Sequence, residues 1–454
     1  MQIESQILDI INNKLKNPIY QTIQLLGMKS ILKASNFRKK EGVGVHMVIL
    51  HFVYMLVMNK KISTFIRQSD ESFKKDVYYR LLSNSSYNWR KMLSLSTSKI
   101  LKLLHPLQNP QNIKVFIIDD TVEGKRGKHI EGSRDALWSN KEKRKISGIN
   151  VVSLNYSDGY SNFMLDFAIS MGKYAKVKIE DFKHELDHRS NAFKRRAEIM
   201  KGKSQIAIDM VTRAIKSGVY ADYLLVDSWY SKPVFLQTMN DLGLKVISRM
   251  TNNNRIWNFI GKEKTLNALY TKYQKTKTLK RGLHGKKIHY TYFSVIVEHH
   301  KAGKIKIVFL KTKENLIPIV STDIDISDKD IIETYKRRWD IEQGYKELRE
   351  YFGFGREENR IYEALIARIT LSFFAYNIVS YINRISHEPQ TIGGLFKDLE
   401  CELTTLAIAM QTFISILDEV AKIDGVVNRN EDLVSIIALL RDTTQLLLGF
   451  RCES

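Results

Sequence analysis

The sequence holds only two cysteines, Cys401 and Cys452, in 454 residues, with no CxxC pair. This excludes a disulfide framework and a cysteine-ligated zinc site, and it fits a reducing, cytoplasmic compartment. Proline is scarce, six in all. No linker of low complexity and no repeat of fixed period divides the chain, so domain boundaries are soft. The opening residues, MQIESQILDIINNK, lack the basic stretch and apolar run of a secretory leader, and none is expected. Two long apolar runs occur, VGVHMVILHFVYMLVM near residue 50 and ALIARITLSFFAYNIVSYI near residue 374. His46 and His51 interrupt the first, Arg368 and Asn377 the second. Both fit buried helices better than membrane spans, and no membrane partner is expected.

Acids are the minority charge. Against 49 Asp and Glu stand 71 Lys and Arg, a formal net charge of +22. The excess is spread along the chain rather than confined to a tail, which points to a polyanionic partner, with DNA first in line.

Residues 1–110 carry apolar residues at i, i+3 and i+4 with basic and aromatic residues between them, as in SILKASNFRKKEG. They are expected to be helical and to form a DNA-binding region. From about residue 113 the pattern changes. IKVFIID, the two halves of SGINVVSLNYSDGYSNFMLDFAISM, ADYLLVD and LKVISRM read as strands, with helical stretches around NAFKRRAEIMKGKSQIAIDMVTRAIKSG and KPVFLQTMNDLG between them. This is a mixed α/β layout in which a hairpin feeds parallel strands. Residues 250–325 are β-rich and read as an insertion. The layout resumes over 326–360, and residues 361–454 are helical, available to cover the core or to meet a second copy.

The segment YKRRWDIEQGYKELRE carries the densest chemistry. Read as one helix, it brings Tyr335, Arg338, Glu342 and Arg349 within an arc of roughly 60°, with Lys346 at its edge. The result is a carboxylate set among cations and a phenol. Other acids end apolar runs upstream: Asp119 and Asp120 after VFII, and Asp227 after YLLV. Acids at the carboxyl ends of strands, completed by Glu342, suit two Mg²⁺ ions, with Mn²⁺ able to substitute, acting on a phosphodiester. Neighbours on a strand face opposite sides, so one of Asp119 and Asp120 is expected to bind metal and the other to point away.

These residues resemble those of bacterial insertion-sequence DDE transposases of the insertion-sequence-four group, whose Tyr-x2-Arg-x3-Glu-x6-Lys signature stands here as Tyr335, Arg338, Glu342 and Arg349. The last position departs from the pattern, with Arg for Lys. The resemblance covers roughly residues 110–385. It selects Asp120 in IDDT as the first acid and Asp227 in LLVDSWYS as the second. It implies a ribonuclease H-like core, a β insertion before the glutamate, Mg²⁺ dependence and cut-and-paste transposition at terminal inverted repeats. In that setting Tyr335, Arg338, Lys346 and Arg349 would contact phosphates, with Arg249 a further candidate. An aromatic of the insertion, Trp257, Tyr290 or Tyr292, would stack on a flipped base. Cutting two ends implies a homodimer.

Two other readings stay open. A metal-dependent nuclease without strand transfer, or a DNA-binding protein without catalysis, would share the charge and the acids. HELDH at residues 184–188 fits H-E-x-x-H, with His184 and His188 as zinc ligands and Glu185 as base. No third ligand follows it, and a zinc protease would leave both the net charge and the Glu342 stripe unexplained.

Overall fold

The computed structural model describes residues 17–39, 41–67, 75–126, 130–139, 142–171, 187–251, 256–259, 262–275, 277–284, 287–356 and 359–422. Among the described residues, six helices come first: α1 (Pro18–Leu25), α2 (Met28–Ala34), α3 (Val45–Val57), α4 (Ile62–Arg67), α5 (Lys75–Ser83) and α6 (Trp89–Leu104). Asn17 starts α1 by accepting the backbone N–H groups of Ile19 and Tyr20, with Pro18 in the first turn. Asn88 caps α6 in the same way through Lys91. Every residue of α3 except His46 is buried, so the first apolar run is a core helix.

The next strands are β1 (Val115–Gly124), β2 (Arg134–Ser139), β3 (Arg144–Ser157) and β4 (Asn162–Ile169). Helices α7 (Asn191–Ile199) and α8 (Lys203–Lys216) follow, then β5 (Tyr223–Val226), α9 (Pro233–Asp241) and β6 (Lys245–Arg249). Strand β1 lies antiparallel to β3 and parallel to β5, and β5 is parallel to β6. With β4 on the far side of β3, the order β4-β3-β1-β5-β6 is a meander feeding two parallel strands. The fold is mixed α/β with helical flanks, consistent with a ribonuclease H-like core.

The β-rich region holds β7 (Ile256–Phe259), β8 (Lys262–Thr265), α10 (Leu266–Tyr273), β9 (Lys280–His284), β10 (Lys287–His299), β11 (Gly303–Lys311) and β12 (Leu316–Ser321). It is not a separate sheet. Strand β12 pairs antiparallel with β6, Ile319 opposite Arg249, so these strands extend the core into one twelve-stranded sheet. Helices α11 (Asp328–Lys336), α12 (Trp339–Tyr351), α13 (Tyr362–Ile385) and α14 (Ile392–Lys422) follow.

Helix α13 is long and apolar enough to cross a membrane, yet 94% of its apolar window is buried inside the protein. It packs against α1, α3, α5, α6 and β4. Its one buried amide is matched. Asn377 accepts the Met164 N–H and donates to the Met164 carbonyl, both at 2.8 Å, and donates to Thr97 of α6. Met164 needs those partners because the β3–β4 register shifts there and interrupts the ladder.

A buried ionic cluster ties the leading helices to the sheet. Asp166 on β4 accepts from Arg90 of α6 at 2.9 Å and from Arg213 Nε of α8 at 2.8 Å. Glu198 of α7 meets the same two arginines and Arg195. Arg196, almost fully buried, joins Glu131 to Glu363 at the start of α13. Burial alone would raise the Asp166 carboxyl; the Arg213 and Arg90 guanidiniums outweigh it and hold the group below its ordinary value. Its contribution to stability is therefore complete above the ordinary carboxylate range and fades as pH falls through the depressed folded value. Asp166→Ala should cost about 3 kcal/mol in urea denaturation at pH 7, because two half-buried guanidiniums lose one of their two carboxylate partners. The gap between wild type and variant should narrow as the acid limb is reached.

Candidate nuclease active site

Strand β1 does not stop at its acids. It runs on through Thr121, Val122 and Glu123 to Gly124, paired with β3 along its length. Asp119 and Asp120 are thus mid-strand, and alternation sends them to opposite faces. Asp119 lies opposite Ser153, on the face covered by α12. Its Oδ2 accepts from Arg338 Nη1 at 2.9 Å, and Arg338 Nη2 donates to Glu342 Oε1 at 2.6 Å. Asp120 turns away, and its Oδ2 pairs with Lys203 Nζ at 2.6 Å at the head of α8. The sequence expectation put Asp120 beside Glu342; the structure sets Asp119 on the side of Arg338 and Glu342, and Asp120 against Lys203. The sequence placed the strand end at the acids, whereas the strand carries them inside it.

The same parity continues along β1. Thr121 and Glu123 both meet Arg349, which donates to Glu123 Oε1 through Nε at 2.8 Å and to the Thr121 hydroxyl through Nη2. Tyr345, fully buried on α12, donates to the Asp119 carbonyl at 3.0 Å and accepts from the Ser153 hydroxyl at 2.6 Å. Helix α12 is seated close. A Cβ at Gly344 would come within 2.8 Å of Asn162 Nδ2 and Met164 Cε on β4.

The signature segment is not one helix. Helix α11 ends at Lys336 and α12 begins at Trp339, joined by i→i+3 bonds from Arg338 N–H to the Tyr335 carbonyl and from Asp340 N–H to the Arg337 carbonyl. Arg337 pins this joint to the sheet through the carbonyls of Ile113 and Ser157. Arg338, the cap residue of α12, and Glu342, Tyr345 and Arg349 on it form the stripe. Tyr335 belongs to α11, where it is half-buried and electrostatically coupled to Arg338, Asp227 and Arg249. Lys346 is exposed on the rim of α12, and Arg249 is exposed at the end of β6.

Asp227 follows β5 directly. It accepts the Trp229 N–H at 2.9 Å, and its carbonyl accepts from the Ser248 hydroxyl. Val226 pairs with Ile118 of β1, so Asp227 sits level with the two β1 acids. Tyr230, buried below the loop, fixes it, with its ring 5.0 Å from that of Trp229. The acids feel one another. Burial, then the charge of Asp120, pushes the Asp119 carboxyl up to about 7 despite Arg338, and Asp227 adds to the rise. Burial, with the Asp120 charge, raises Asp227 against the N–H it accepts.

The donors of this cluster are all oxygen, which suits a hard divalent cation, and their mutual repulsion is what such a cation would relieve. Among the described residues, no three acids, histidines or cysteines are yet gathered closely enough to hold one. Arg338 spans the gap between Asp119 and Glu342 in that role.

Other sequence candidates lie apart. Trp257 is on β7, its side chain outside those described. Tyr290 and Tyr292 are half-buried neighbours on β10, 6.0 Å between ring centres. His184 and Glu185 of HELDH lie outside the described residues; His188 stacks on Phe193 and Asp187 pairs with Arg189. Sequence reading missed Lys203 and Tyr345. Tyr345, three residues after Glu342 on the same stripe, was within reach of helical periodicity; Lys203 carried no local signal.

Residues 61–279 match the family model described as DDE superfamily endonuclease, and residues 201–378 match that described as Transposase DDE domain. The first span includes both β1 acids and Asp227, the second Asp227 and Glu342. Together they support a nuclease of the DDE transposase type. No curated protein matches the chain.

The seating of α12 is open to a direct check. Gly344→Leu on an exposed helix face would stabilise by roughly 0.5–1 kcal/mol through helix propensity. Against β4 it should instead destabilise by about 1–3 kcal/mol, the cost of overpacking, measured by chemical denaturation.

Proposed function

We propose that this protein is a DNA transposase of the insertion-sequence-four group, which cuts at terminal inverted repeats and joins the ends to target DNA. The observation that carries the reading is the run Asp119–Arg338–Glu342 set level with Asp227 at the carboxyl end of β5. A ribonuclease H-like core that sets Asp119, Glu342 and Asp227 around Arg338 supports a reading as phosphodiester cleavage.

Asp119, Asp227 and Glu342 would hold the divalent ions, Mg²⁺ or Mn²⁺. Asp120, which the family motif selects, stays on Lys203. Bound metal activates the attacking oxygen and stabilises the leaving one. The chain's own groups position the DNA. Arg338 leaves its carboxylates for a phosphate beside the scissile bond, where its planar fork gives two directed hydrogen bonds. Tyr335 and Arg249 approach the same point from α11 and β6. Arg349 stands seven residues beyond Glu342 on α12, about 10 Å along the helix, and takes the next phosphates. Lys346 adds charge at the rim, and Trp257 is the candidate to stack on an unpaired base. Two ends must be cut together, so the working form is a homodimer on DNA.

Cleavage of a labelled inverted-repeat duplex with Mg²⁺ tests the assignment. Asp119→Asn, Asp227→Asn and Glu342→Gln should each lower the rate by about 100-fold or more, since several kcal/mol of transition-state stabilisation are lost. They should be far from additive, as members of one unit. Asp120→Asn should cost much less. A deep loss in Asp120→Asn with Asp119→Asn near wild type would return the first acid to Asp120. Joined products establish transposition; cut ends alone make the protein a nuclease.

A further inference from the structure

A groove of about 700 Å³ opens beside Arg349, between the end of β1, the start of β3 and the turn after α12. Six cations line it: Lys125, Arg126, Arg144, Lys145, Arg349 and Arg356. Two carboxylates face them, and both are engaged, Glu123 by Arg349 at 2.8 Å and Glu142 by Arg144 at 2.6 Å. Lys125 is buried and points its ammonium at the Gly355 carbonyl, 3.3 Å away. Arg126, Lys145 and Arg356 are exposed, and the contacts that Arg356 makes with Asn59 and Glu350 are 3.4 and 3.5 Å long.

Such a concentration of like charge is costly without an anion, because the cations repel one another across a shared wall. Stability gives no reason for it, since exposed cations here have more solvent than partners. The groove reaches toward the acids through Glu123 and Arg349. Asp119, Thr121, Glu123 and Lys125 lie along one face of the β1 backbone, and six residues of strand cover about 20 Å. One DNA strand advances about 3.4 Å per phosphate along the duplex axis, so a path of this length accommodates roughly six. The repeating negative charge fits a row of cations, whereas a single small anion would use only one or two of them.

We infer that this groove is the track for the DNA strand that leaves the active site past Arg349, with its phosphates on Arg126, Lys145 and Arg356. The inference rests on the reading of the protein as a DNA-cutting enzyme and adds a direction to it. The strand runs along β1 toward the β2–β3 end of the sheet, and the opposite strand end approaches from the side of Arg249.

The experiment uses the full chain and a labelled duplex containing the inverted repeat that flanks the coding region, with adjoining host sequence. The triple variant Arg126→Ala, Lys145→Ala, Arg356→Ala changes three exposed side chains, none of them placed in the cutting machinery, and a thermal melt verifies its fold. Binding is measured from 50 to 200 mM salt, and ethylated phosphates that block binding are mapped on each strand. Wild type should show a contiguous run of blocking phosphates on one strand, next to the cut. The variant should lose that run, bind at least tenfold more weakly at 100 mM salt, and show a salt slope shallower by about 2–3, near 0.9 per lost phosphate contact. A wild type that cuts the duplex, with a variant unchanged in slope and in blocking pattern, would overturn the groove alone. A wild type that neither binds nor cuts any duplex would overturn the DNA reading and the groove with it. Weaker binding with the blocking run still intact would also count against the groove, since it would mean loss of diffuse attraction only.

Discussion

Negative charge is crowded where β1 and β5 run side by side, and cations from distant parts of the chain hold it together. Asp119, Asp120 and Asp227 lie level with one another on neighbouring strands, with Glu342 above them on α12. Left alone they would repel, and the rise of the Asp119 carboxyl to about 7, from burial and from Asp120, records that cost. Arg338 binds Asp119 and Glu342 on one face, and Lys203 binds Asp120 on the other. These cations offset part of that repulsion. Asp119 and Glu342 thus lie on the side of Arg338, and Asp120 lies across the strand on Lys203.

The rest of the architecture serves to keep α12 against β1. Tyr345 fastens it to the Asp119 carbonyl and to Ser153, Gly344 lets it approach β4, and Arg337 anchors its start to the sheet. Below, α13 and the ionic cluster around Asp166, Glu198 and Arg196 join the leading helices to β4 and to α7 and α8. Since Lys203 stands at the head of α8, the cluster that secures α8 also sets the cation opposite Asp120.

Much of the fold was legible in the sequence. Apolar runs ending in acids marked β1 and β5, the Ser157–Gly159 turn marked the β3–β4 hairpin, and His46 and Asn377 identified their helices as internal. What failed had specific physical causes. Strand β1 runs on through DDTVEG, a polar stretch with none of the apolar alternation that signals a strand, because its side chains on one face are matched by Arg338 and Arg349 instead of by a hydrophobic core. The face of Asp119 could not be assigned without that extension. The break between α11 and α12 is equally silent, since it uses helical backbone angles and i→i+3 bonds with no proline or glycine. The β-rich stretch was correctly seen as strands, but its union with the core depends on the pairing of β12 with β6, a contact across some seventy residues that no local pattern encodes.

The central claim is that Asp119, Asp227 and Glu342 form one cation site and that Asp120 does not belong to it. Crystals of the protein grown with Mn²⁺, examined by anomalous scattering at the manganese edge, test it most directly. The account expects anomalous density against the carboxylates of Asp119, Asp227 and Glu342, with Arg338 turned out of its present position and Asp120 still on Lys203. Density against Asp120 instead, with Asp119 still held by Arg338, would contradict it.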